Sequence, residues 1–220
     1  MIRQSTFDFL KELVENNNRE WFLANKDRYE SARENVIDFT AEWLKQMHQI
    51  DASIDENLDA KKCVMRIYRD IRFRKDKTPY KNNFGISIPT KGLKLGRAEY
   101  YLQISPNDSF IAGGYWMPES GHLKAIRQEI DYNAADLKKI IDDPEFVRLF
   151  GDFRKQEQLK SVPREYGPDN ENASLLKLKS FVAFRKLEDK ELMRKNAVAD
   201  VTGICAKNQP LNLFLNQALS

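Results

Sequence analysis

The apolar residues of this chain change period twice, and the order of those changes limits the fold more than any motif does. Tyr29, Ala32, Val36, Phe39, Trp43, Met47 and Ile50 recur at spacings of three and four, which places one apolar stripe along a helix of many turns. Before it, Ser5 followed by Asp8 reads as a helix start, Asn16-Asn17-Asn18 as its stop, and Asn18 as the cap of the next helix. From Cys63 the period falls to two. Runs at Cys63 to Phe73, Phe84 to Pro89, Glu99 to Ser105 and Ser109 to Trp116 read as strands. Pro79 with Asn82-Asn83, Lys91 to Gly96, and Pro106-Asn107-Asp108 supply connections short enough for hairpins. Helical spacing returns with Leu123, Ile126, Ile130, Leu137 and Ile141, and after Pro144 with Phe146, Leu149, Phe150 and Phe153. A polar loop then leads to a fifth strand at Leu178 to Arg185, Met193, Ala197, Val201 and Ile204 mark a further helix, and a short last one follows Pro210.

Helices first, strands together and helices after define an α+β arrangement rather than an alternating α/β one. The expected architecture is an antiparallel sheet of about five strands with helices packed mainly on one face. No Pro/Gly/Ser-rich stretch divides the chain, and 220 residues bury a core without staples, so a single domain is expected over 1–220. Its parts are N-terminal helices 5–50, sheet 62–117, helices 119–154, strand 176–186 and C-terminal helices 188–219. Cys63 and Cys205 are far apart with no CxxC pair, which argues against a disulfide scaffold or a zinc site. The N-terminus soon carries acids and no apolar run approaches membrane-spanning length, so a cytoplasmic protein with no membrane partner is expected.

The net charge of +3 conceals a segregation. Between Lys61 and Arg97 twelve Lys/Arg face only Asp70 and Asp76, giving +10, while the remaining 24 basic and 31 acidic residues leave −7. Such a segment attracts anions. In an extended chain alternate residues share a side, so Cys63, Met65, Ile67, Ile71 and Phe73 fall on one face, interrupted by Arg69. Val64, Arg66, Tyr68, Asp70, Arg72 and Arg74 fall on the other, and Tyr101 with Gln103 extend that polar face from the third strand. Arg69, on the apolar side, requires a partner, a bulge or an edge.

Arginine's planar fork suits phosphate or carboxylate oxygens, so the row reads as a clamp for an anionic small molecule. Arg66, Arg72 and Lys77 would hold the anion, Asp70 would orient arginines, and Tyr68, Tyr80 or Tyr101 would donate hydrogen bonds. Arg69 and Asp76 belong to the same candidate set. Hydrolysis or group transfer follows if these groups also stabilise developing charge, but no catalytic residue is assigned. Asp70 is a poor general base among guanidinium groups, and Asp76 before Lys77-Thr78-Pro79 looks first like a turn residue. The positive surroundings oppose a divalent cation at Asp70, Asp76 and Glu99, so neither metal nor cofactor is expected. Two other readings stand beside this one. The basic segment 61–97 with Tyr68, Phe73 and Tyr80 could form a nucleic-acid or protein-binding module, ranked second because the rest of the chain is acidic, or the charges could form a purely structural ionic network. No GxSxG, GxxxxGK[ST] or HExxH motif is present. His122 follows Pro118-Glu119-Ser120-Gly121 at a helix start beside Gly113-Gly114, where free backbone N–H groups could bind an anion, although Pro118 at a first helical turn explains the start without a ligand.

The stretch RIYRDIRFRKDKTPYK, with Arg66, Arg69, Asp70, Arg72, Phe73, Asp76, Lys77, Pro79, Tyr80 and Lys81, resembles the mainly bacterial family known as domain of unknown function 2461. Asn17, Asn18, Trp21, Phe22 and Tyr29 fit the same pattern, and the resemblance covers nearly the whole chain. It implies no activity, cofactor or catalytic residue.

Overall fold

The computed structural model describes residues 1–72, 75–90 and 96–219. In chain order the elements are α1 (Gln4–Glu15), α2 (Arg19–Ala24), α3 (Lys26–Ile50), α4 (Ala60–Cys63), β1 (Phe84–Pro89), β2 (Glu99–Ile104), β3 (Ser109–Tyr115), α5 (Ser120–Ile141), α6 (Pro144–Phe150), α7 (Ala173–Leu176), β4 (Phe181–Leu187), α8 (Asp189–Leu192) and α9 (Ala197–Gln217). The strands form one antiparallel sheet in the order β1-β2-β3-β4. The chain is therefore α+β, with four regular strands among the described residues rather than about five.

Contacts divide the chain into two compact units, each assembled from separated pieces. The first comprises Met1–Ile88, Tyr101–Ile111 and Lys186–Gly203; the second comprises Pro89–Tyr100, Ala112–Arg185 and Ile204–Ser220.

In the first unit the apolar stripe of α3 buries Val36, Phe39, Trp43 and Met47, and α1 contributes Phe7, Phe9, Leu10 and Leu13. Burying such side chains is worth roughly 1.5–3 kcal/mol each, which outweighs the weak intrinsic preference of so polar a helix. A buried polar link fixes α1 against α3: Asn35 Oδ1 accepts from the Arg3 backbone N–H at 2.8 Å and from the Thr6 hydroxyl at 2.9 Å. Asn18 caps α2, its side-chain oxygen accepting from Trp21 N–H at 2.9 Å.

The second unit is built round Ile126, Ile130, Leu137, Ile141, Phe146, Leu175, Phe181 and Leu211. The helix expected after Pro144 is α6, with Pro144 in its first turn and Asp143 as its cap. Two boundaries move. Leu178 belongs to an isolated bridge with Gln158, and the last strand starts at Phe181. The two helices expected around Pro210 are one, because the proline removes a single backbone donor while Leu211, Phe214 and Leu215 on the next turns stay buried.

Among the described residues no helix is long and apolar enough to cross a membrane.

Candidate functional site

The basic segment is an extended ribbon, not a regular strand. α4 ends at Cys63, and from Val64 the chain runs antiparallel to residues 79–86. Arg69 N–H donates to Pro79 C=O at 2.9 Å, Lys81 N–H to Ile67 C=O at 2.7 Å and Met65 N–H to Gly85 C=O at 2.8 Å. Two bridges result among the described residues, Tyr68↔Tyr80 and Val64↔Ile86. The step from Ile67 to Met65 spans two residues while the step from Lys81 to Gly85 spans four, so Asn82 and Asn83 bulge out and the ladder slips. That slip is why the expected strand Cys63 to Phe73 is not one. Phe73, Arg74 and the Lys91 to Leu95 part of the next connection lie outside the described residues.

The alternation survives without the ladder. Arg66, Tyr68, Asp70 and Arg72 are exposed, Ile67 is buried, and Arg69 and Ile71 are half-buried. Met65, assigned to the apolar side, is 44% exposed and departs from the pattern. Asp70 grips Arg72 with both oxygens, accepting from Nε at 3.0 Å and from Nη2 at 2.6 Å, and this pairing holds the guanidinium more firmly charged than usual. Arg66 has no hydrogen bond or ion pair among the described residues. Lys77 Nζ donates to the Ile71 carbonyl at 3.0 Å and so closes the turn.

Arg69 solves its placement by pairing. Its Nη1 reaches the Asp76 carboxylate and donates to the Thr78 hydroxyl at 2.8 Å, while Asp76 accepts from Thr78 N–H at 2.9 Å. Asp76 is thus a turn residue, paired with Arg69 and Thr78. The Thr78 backbone N–H, then the Thr78 hydroxyl and Arg69, hold the Asp76 carboxyl below its ordinary pKa. A carboxyl depressed in the folded state contributes stability above its ordinary pKa and loses it as the pH falls toward the lower folded value. The Thr78 amide is therefore expected to shift, in an NMR titration, with a midpoint below that of an ordinary aspartate. A midpoint at or above the ordinary value would mean that the turn does not hold the carboxylate.

Tyr80 and Tyr101 do not join the exposed row. Tyr80 is 4% exposed, its ring stacks on Phe22 at 3.9 Å and 11°, and burial pushes its hydroxyl pKa up. Asn17 completes its backbone pairing, donating from Nδ2 to Tyr80 C=O at 3.0 Å and accepting from Tyr80 N–H at 3.1 Å. Tyr101 is half-buried, 5.6 Å from the Phe110 ring, with its hydroxyl packed over Gly85, where an added Cβ would lie 2.7 Å away.

Two arrangements in the second unit had no signal in the residue pattern. The Tyr115 hydroxyl lies 2.8 Å from His122 Nδ1, and His122 Nε2 lies 3.4 Å from Glu119 Oε1. A carboxylate at Nε2 favours the tautomer protonated there, with Nδ1 accepting from Tyr115. Gly96, at φ +90, packs against this pair. A helix start near Pro118 was legible, although α5 begins at Ser120 with Glu119 as its N-cap rather than with Pro118 in its first turn; the partner of His122, seven residues upstream on β3, was not legible. Along α9, Asn208, Asn212 and Asn216 form a buried column directed at backbone and side-chain groups of residues 90–113. An open cleft of about 560 Å³ in the first unit, between Arg3, Asp38, Glu42 and Lys195, contains none of the predicted site residues. Among the described residues no group of three or more His, Cys, Asp or Glu is placed to hold a metal ion.

Fold and site together define an α+β protein with a solvent-facing arginine ribbon propped on an aromatic cluster. The model of the family described as "Conserved hypothetical protein (DUF2461)" matches residues 5–214, and the chain belongs to that family. No curated protein and no solved structure gives a significant match.

Proposed function

We propose that the exposed face of the ribbon binds a phosphate or carboxylate group of a small ligand. The observation that carries this reading is the pairing of roles on one face: Arg66 is exposed and uncommitted among the described residues, and two positions on from Asp70 the Arg72 guanidinium is held in a fixed plane. A guanidinium oriented before the ligand arrives loses less freedom on binding. The Arg69, Asp76 and Thr78 bonds keep the turn beneath it closed. If the same groups stabilise charge that develops during a reaction, the chemistry would be hydrolysis or group transfer.

The test is titration with pyrophosphate and citrate at low ionic strength, where screening of an exposed site is weakest. Arg66→Ala is expected to weaken binding by about tenfold, the worth of one charge-assisted hydrogen bond, while the thermal midpoint stays that of the parent. Absence of binding of either anion to the parent protein at low salt would overturn the reading.

A further inference from the structure

We infer that the anion bound by the ribbon is carried on an aromatic base, so that the ligand is a nucleotide or a base of a single strand; this rests on the anion-binding reading above. Tyr68 is the reason. It is 50% exposed, yet its ring is not loose: it lies 5.5 Å from the Tyr80 ring and 6.0 Å from the Phe22 ring, both of them buried. Those two stack on each other, and Phe22 in turn meets Tyr29 at 5.0 Å and Phe9 at 6.3 Å. Tyr68 is therefore the outermost ring of an aromatic pile that begins in the core. Tyr132, by comparison, is 74% exposed and has no ring contact among the described residues.

The backbone under the ring is fixed as well. Tyr68 sits opposite Tyr80 in a bridge, and both Tyr80 backbone groups are clamped by Asn17. A half-open aromatic surface whose position is already determined offers a flat ligand contact area at little cost in side-chain freedom. Arg66 lies two residues away on the same face, roughly 7 Å along an extended chain, which is comparable to the reach from a base to its 5′-phosphate. Burial raises the Tyr80 pKa, and the charge of the exposed Arg19 partly opposes that rise. Inorganic phosphate or a small carboxylate would use the cations and leave the ring unused. A nucleotide uses both, since base stacking and phosphate pairing are the two terms by which proteins hold unpaired bases.

The experiment titrates the full chain at low ionic strength with adenosine monophosphate, ribose 5-phosphate and a short oligothymidylate. Adenosine monophosphate or the oligonucleotide is expected to bind about tenfold more tightly than ribose 5-phosphate, the usual worth of one stacked base. Tyr68→Leu, which keeps bulk and removes the π surface, should bring that ratio close to one, and Tyr68→Phe should retain it. Tighter binding of the oligonucleotide assigns a single strand as the source of the base, and tighter binding of the monophosphate assigns a free nucleotide. Equal binding of adenosine monophosphate, oligothymidylate and ribose 5-phosphate, or a ratio that survives Tyr68→Leu, overturns this inference and leaves the anion site standing. Failure of all three probes to bind while pyrophosphate or citrate still binds overturns this inference alone, and failure of those two anions as well overturns both.

Discussion

Gly114→Ala is expected to destabilise the protein by about 3 kcal/mol or more, a large share of the margin of a typical domain. Gly114 sits in β3 at φ +133, a conformation that L side chains rarely adopt, and an alanine there stores on the order of 1–3 kcal/mol of backbone strain. The second cost is steric. A Cβ at this position would lie 2.0 Å from the Phe181 carbonyl oxygen and 2.8 Å from the Val182 Cα, both backbone atoms of β4. A side chain can rotate away from such a clash, whereas a strand held by its own ladder must move as a whole. Gly121, in the first turn of α5, has nothing within 4 Å of an added Cβ, so Gly121→Ala is expected to be neutral or slightly stabilising. Chemical denaturation of the two variants side by side measures the contrast. A Gly114→Ala midpoint equal to that of the parent would show that the β3–β4 contact is not tight.

Where pattern and burial coincide, the sequence was enough to place the elements. The α3 stripe from Tyr29 to Ile50 lies within Lys26–Ile50, and the run expected near Phe84 to Pro89 is β1, because each writes its own period and packs one side against the core. The ribbon shows the limit of that logic. Cys63 to Phe73 alternates as well as any strand in the chain, but a ladder needs a partner in register, and the two bulging asparagines that break the register lie in the partner. The same distinction runs through the site. Which side Arg66, Tyr68, Asp70 and Arg72 face follows from spacing. That Asp76 is spent on Arg69 and Thr78, or that Tyr80 turns into the core onto Phe22, depends on contacts made after the chain has folded back. The column Asn208, Asn212, Asn216 was hidden for another reason: polar residues at every fourth position read as a solvated helix face, and only burial reverses that meaning.

That column supplies the second large effect. Asn216 is 2% exposed; its Nδ2 donates to the Thr90 hydroxyl at 2.6 Å and its Oδ1 accepts from Ala98 N–H at 3.2 Å, while the Thr90 hydroxyl donates onward to Ala98 C=O at 2.6 Å. One side chain thus joins the residues on either side of the β1–β2 connection. Asn216→Ala leaves the Ala98 N–H buried without that acceptor, at about 1–3 kcal/mol, and opens a cavity, so a total loss of roughly 2–4 kcal/mol is expected. Asn212, four residues earlier and fully buried, is a different case. Among the described residues its Oδ1 has no hydrogen-bond partner and its Nδ2 reaches Glu99 C=O at 3.4 Å, so it carries a desolvation cost that this long bond scarcely offsets. Asn212→Leu, close in size and without the orphaned oxygen, is expected to be neutral or stabilising. Denaturant unfolding of both variants separates the two roles: Asn216 is a networked residue and Asn212 a tolerated mismatch only if Asn216→Ala loses at least about 2 kcal/mol more than Asn212→Leu.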